Sequence, residues 1–103
     1  MMTWEQKLDA LQSLGECTLR MRKPGDWYVR QGVEVSQGNL LVGEYGNGKT
    51  PEEAVMNHWD LLSNLKPEEY LVVHAMGPNR QAVKWNGYMW QSVKENLNQG
   101  GDK

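Results

Sequence analysis

The sequence predicts a single small α+β domain, with an antiparallel sheet and two helices packed on it. Three observations carry that prediction. Two segments, residues 3–14 and 51–64, have helical apolar spacing behind well-formed N-terminal caps. Short segments of alternating apolar and polar residues run between and after them, joined by tight-turn residues. Asn86-Gly87, a strong hairpin signal, separates two of these alternating segments. The expected order is α-β-β-β-α-β-β-β. Strands in runs linked by tight turns mean antiparallel pairing rather than crossovers.

The first helix opens with Thr3 as N-cap and Gln6 three residues on, a capping box. Trp4, Leu8 and Leu11 form its apolar stripe, and Gly15 follows its end. Cys17, Leu19 and Met21 then alternate with Thr18, Arg20 and Arg22. Lys23-Pro24-Gly25-Asp26 fits a type II turn. Trp27, Val29, Val33 and Val35 continue the odd-numbered apolar face, with Gly32 marking a bulge or a break. Gln37-Gly38-Asn39 turns the chain into a third strand over residues 40–45.

Thr50, Pro51 and Glu53 form the second capped start, with Thr50 and Glu53 as a capping box. Ala54, Val55, Trp59 and Leu62, flanked by His58, give that helix its buried stripe. Tyr70 to Met76 has little polar interruption and reads as a central strand. Gly77-Pro78-Asn79 turns it. A two-residue turn at Asn86-Gly87 would pair Trp85 with Tyr88 and Val83 with Trp90. Residues 1–94 are read as the domain and 95–103, ending Gly-Gly-Asp-Lys, as a flexible tail.

Composition excludes several function classes. Cys17 is the only cysteine, so neither an internal disulfide nor a cysteine-rich metal site can form. Its place in a strand pattern marks a small core residue, and a lone thiol fits a reducing compartment. The longest apolar run, Leu71-Val72-Val73, is far too short to span a membrane. A cytoplasmic protein is expected. The net charge is −2, but Arg20, Arg22, Lys23 and Arg30 cluster early, while Glu52, Glu53, Asp60, Glu68 and Glu69 cluster later. One basic and one acidic side follow.

Residues 43–50, Gly-Glu-Tyr-Gly-Asn-Gly-Lys-Thr, match the phosphate-binding pattern G-x-x-x-x-G-K-[ST]. That reading makes Lys49 a nucleotide ligand. Against it, Pro51 removes an N–H where the helix start should donate to phosphate. Thr50 is already needed as a cap, no strand ends in a suitable aspartate, and hairpins cannot supply a parallel sheet. The segment is better read as a glycine-rich turn into a capped helix. His58 and His74 read as structural histidines. No catalytic constellation, metal cluster or cofactor fingerprint is evident, so no enzyme activity and no cofactor are expected.

Two surfaces remain as candidate binding sites. One is the outer face of the first hairpin, with Arg20, Arg22, Tyr28 and Arg30, and Lys23 at the turn. Basic residues interleaved with an aromatic ring suit single-stranded nucleic acid, or simply protect a sheet edge. The other is the closing aromatic hairpin, Trp85, Tyr88 and Trp90, which either packs on the core or forms a protein-contact patch.

The stretch from Tyr28 to Leu62, with strands, then Gly46-Asn47-Gly48-Lys49-Thr50 and a helix, is similar in order to a double-stranded RNA-binding domain. In that family a lysine pair opens the second helix; here Pro51, Glu52 and Glu53 occupy those positions, which removes the phosphate clamp. Residues 48–55, Gly-Lys-Thr-Pro-Glu-Glu-Ala-Val, resemble a stretch of HicB-type antitoxin domains that similarly follows a small meander. The whole chain resembles small proteins encoded by tailed phages and prophages. That resemblance rests on the Met-Thr-Trp-Glu start, Gly25-Asp26-Trp27-Tyr28-Val29, the segment Thr50-Pro51-Glu52-Glu53-Ala54-Val55, and Val83-Lys84-Trp85-Asn86-Gly87-Tyr88-Met89-Trp90. It implies bacterial cytoplasm and an accessory or host-directed role. The expected function is therefore a non-enzymatic binding protein with a protein partner. Single-stranded nucleic acid is the alternative ligand.

Overall fold

The computed structural model describes residues 2–37, 40–43, 46–76 and 79–93. Helix α1 spans Trp4–Gln12 and helix α2 spans Pro51–Ser63. Eight strands accompany them among the described residues: β1 (Cys17–Lys23), β2 (Asp26–Gln31), β3 (Val33–Gln37), β4 (Leu40–Gly43), β5 (Gly46–Gly48), β6 (Tyr70–Met76), β7 (Asn79–Trp85) and β8 (Trp90–Ser92). The fold is α+β, and every strand pairing among the described residues is antiparallel. Expected features at Gly38-Asn39, Gly77-Pro78 and residues 95–103 lie outside the described residues.

The strands form two sheets where the sequence suggested one. A three-stranded sheet has the order β1-β2-β5, and a five-stranded sheet has the order β4-β3-β6-β7-β8. The division falls at Gly32. On one side of it β2 pairs with β1 and β5; on the other, β3 pairs with β4 and β6. The odd-numbered face stays inward across the break, since Val29, Val33 and Val35 are all buried. Gln31, the last residue before the break, is held by α1 and the segment just after it: its side-chain amide donates to the carbonyls of Leu11 and Gly15. The Gly32 carbonyl accepts from His74 N–H at 3.0 Å and so begins the pairing with β6.

The core is one cluster between the helices and the inner sheet faces. It includes Leu11, Val29, Val55, Leu62, Leu71 and Val83. Burying a side chain of this size contributes roughly 1.5–3 kcal/mol. The N-terminal box of α1 forms as the sequence implies, with Thr3 Oγ1 accepting from Gln6 N–H and Gln6 Oε1 accepting from Thr3 N–H. In α2 the box is altered. Thr50 Oγ1 accepts from Glu53 N–H, but the Glu53 carboxylate accepts from Lys49 N–H at 2.7 Å rather than from Thr50. Strand β6 is the middle of the five-stranded sheet, which explains why Leu71, Val72 and Val73 are all buried.

The final hairpin differs from its expected register. Trp85 lies opposite Trp90 and Val83 opposite Ser92, so Asn86 to Met89 form a four-residue connection. Two local forces decide this. Asn86 Oδ1 accepts from the N–H groups of Tyr88 and Met89, and Asn86 N–H donates to the Met89 carbonyl. Trp85 and Trp90 also pack edge-to-face with each other and with Trp59, at centroid separations of 4.7 to 5.7 Å. The indole N–H of Trp90 donates to the Ala10 carbonyl at 2.7 Å.

Candidate binding face

The glycine-rich segment forms a strand. Gly46, Asn47 and Gly48 pair with Val29, Tyr28 and Trp27 as strand β5. This strand lies so close to α2 that a Cβ on Gly46 would collide with the backbone of Ala54 and His58. A Cβ on Gly48 would come within 2.5 Å of the Ala54 nitrogen. The glycines therefore serve strand-to-helix contact. The Lys49 N–H, which a phosphate would need, is taken by the Glu53 carboxylate.

His58 is fully buried on α2. The Gln31 amide nitrogen is committed to two carbonyls, so its Oε1 faces His58 Nε2 at 3.1 Å. Nε2 therefore carries the proton and donates, leaving Nδ1 buried without a partner among the described residues. Burial lowers the imidazole pKa to about 4. His74 is exposed on the outer face of the five-stranded sheet, where it meets Glu34 at 2.6 Å. It is satisfied, but at the surface rather than in the buried interior that its strand suggested. Cys17 is half-buried against the core, and burial raises its thiol pKa to about 11. Among the described residues, no group of three or more His, Cys, Asp or Glu is placed to hold a metal ion. No described helix is long and apolar enough to cross a membrane.

The aromatic hairpin divides. Trp85 and Trp90 are half-buried in the tryptophan cluster. Tyr88, at the loop tip, is 90% exposed, with Met89 beside it also exposed. The sequence reading grouped all three rings; the four-residue loop separates Tyr88 from the other two.

The basic hairpin face is brought together. Helix α2 covers the inner side of the three-stranded sheet through Gly46 and Gly48, leaving Thr18, Arg20, Arg22, Tyr28, Arg30 and Asn47 on the other side. Arg20 lies opposite Tyr28, and Thr18 opposite Arg30. Arg22, at a register irregularity, stacks its guanidinium 4.2 Å from the Tyr28 ring centroid. It also bonds Asp26 at 3.2 Å and Asn47 at 3.1 Å. Lys23 is exposed at the turn, where Gly25 has the φ of +79° that a type II turn needs. Arg20 and Arg30 are exposed and make no hydrogen bond or ion pair among the described residues.

These two arginines border an open depression of about 330 Å³, also lined by Glu16, Thr18, Gln31 and Gly32. Sequence reasoning singled out the arginines but missed Glu16, Thr18, Gln31 and Gly32. The signal was available in the Pro24-Gly25 turn, because fixing that turn sets the register that places Thr18 beside Arg30. No family model, no curated protein and no solved structure matches this chain.

Proposed function

We propose that this chain is a non-enzymatic binding protein of phage or prophage origin, acting in the bacterial cytoplasm through the outer face of its three-stranded sheet. The observation that carries the reading is a pair of exposed guanidiniums, Arg20 and Arg30, that make no hydrogen bond or ion pair among the described residues and border an open depression. An exposed pair of like charges on one sheet face costs stability unless something else opposes it. A partner carrying carboxylates does so, and gains charge-assisted bonds from both forks. The alternating apolar pattern that builds the hairpin also sets its basic residues on one face.

The test is retention of a partner on immobilised protein from bacterial lysate. The expected result is a protein held by the wild type and lost from an Arg20→Glu/Arg30→Glu variant. Failure to retain any partner would overturn the reading.

Single-stranded nucleic acid is a second reading, favoured by the presence of Tyr28 among the arginines. Its ring already has a guanidinium stacked over it, which leaves a single face for a base. Salt-sensitive binding that weakens in Arg20→Ala and Arg22→Ala would support this reading; no polarisation change at low salt would dismiss it.

A further inference from the structure

Strand β1 is an edge of the three-stranded sheet, and among the described residues it is paired on one side only. Such an edge offers free backbone donors and acceptors to an added strand. Its outer-face side chains are Thr18, Arg20 and Arg22. Arg22 is engaged by Asp26, Asn47 and Tyr28, whereas Arg20 has no partner among the described residues. Arg30, next to Thr18 on β2, has none there either. Gly32 closes the same depression without a side chain. Its φ is not positive, and a Cβ there would meet nothing within 4 Å. Neither backbone conformation nor packing requires glycine at that position.

We propose that β1 receives an extended, acidic segment of a partner protein as a fourth strand. The inference rests on the protein-binding reading above and names the chemistry of its partner. Alternate residues of a strand share one face and lie about 6.8 Å apart. A carboxylate beside Arg20 pairs with that guanidinium. A second carboxylate two residues along lies beside Thr18, whose short side chain lets it reach across to Arg30. The residue between them falls on the opposite face, beside Leu19 and near the exposed Met21, and is apolar. One further step would bring an acidic residue to Glu16, so the acidic run ends there. The segment recognised is acidic–apolar–acidic, followed by a neutral or basic residue two positions on. A second copy of β1 is a poor occupant, because antiparallel pairing about Arg20 would set like charges opposite each other.

The experiment is fluorescence polarisation with a short labelled peptide alternating valine and glutamate. The same peptide with lysine for glutamate, and one with a central proline, serve as controls. The expected result is binding of the glutamate peptide alone. It should weaken about tenfold or more in Arg20→Ala, Arg30→Ala and Gly32→Glu. Gly32→Glu is the variant that fills and neutralises the depression while leaving the fold its space. The central proline should weaken binding because it removes a ladder N–H. Equal binding of the lysine peptide, indifference to proline, or unchanged affinity in all three variants would overturn strand addition. So would displacement of the peptide by single-stranded DNA that binds the same arginines more tightly. If the wild type retains a partner that Arg20→Glu/Arg30→Glu loses, yet the glutamate peptide does not bind, strand addition fails and the protein-binding reading stands. If no partner is retained either, both fail.

Discussion

Acidification should destabilise this protein through one imidazole. His58 is neutral in the fold, with Nε2–H donating to Gln31 and Nδ1 buried without a partner among the described residues. A second proton would place a charge, and a second N–H, where no acceptor waits. The folded pKa is about 4, against an ordinary value of 6.5. Because the folded value is the lower one, the unfolded chain takes up the proton first as pH falls. The stabilisation is complete above pH 6.5 and is lost progressively down to about pH 4. From those two values the loss is about 2 kcal/mol at pH 5 and approaches about 3 kcal/mol near pH 4.

Carboxylates also titrate in that range, so the His58 contribution must be isolated by a variant. His58→Gln retains an amide that can donate to Gln31 and cannot titrate. Urea denaturation of both proteins at pH 7 and pH 5 gives the difference of differences, from which the variant's own baseline cost cancels. The wild type should lose about 2 kcal/mol more than the variant. Parallel loss in both proteins would refute the assigned burial and tautomer, as would a folded-state imidazole titrating near 6.5 by NMR.

The other predictions concern packing and exposure. Gly46→Ala should cost about 2–3 kcal/mol in urea unfolding, because the new Cβ meets α2 backbone that cannot swing aside. Trp90→Phe should cost about 1 kcal/mol by removing the indole donor to the Ala10 carbonyl, which keeps the Ser13 hydroxyl as its other donor, whereas Tyr88→Ala should change stability by less than about 0.5 kcal/mol. Thr50→Ala should cost about 1 kcal/mol, since it removes the acceptor for Glu53 N–H. At pH 8 the Cys17 thiol should be alkylated about 100-fold more slowly in the folded protein than after unfolding, given its raised pKa.

Much of the fold was legible because local chemistry and global packing agree. Thr3 and Gln6 make the box they advertise, and Ala54, Val55, His58, Trp59 and Leu62 are all buried as their spacing requires. The division into two sheets was not legible. Gly32 marks a bulge or a break between Trp27 and Ser36, but only the partners of each half reveal that they belong to different sheets. The last hairpin misled for a similar reason. Asn-Gly favours a tight turn, but tertiary packing of three indoles outweighs that local preference. At the candidate site, residue types were readable but their occupancy was not. Arg22 and Arg20 look equivalent in sequence, yet Asn47, on a strand that the glycine-rich motif concealed, engages only Arg22.

The bond from the Trp90 indole to the Ala10 carbonyl joins positions 80 residues apart. Closing a flexible loop of that length costs roughly 4 kcal/mol in chain entropy. It is therefore a late event, rewarded only once the intervening strands have shortened the effective loop. A growing chain that has not yet delivered its eighth strand leaves α1 without this anchor and the tryptophan cluster one ring short. Helix α1 waits for β8. Docking of β8 completes the domain in this sense, and intrinsic Trp fluorescence would report its timing.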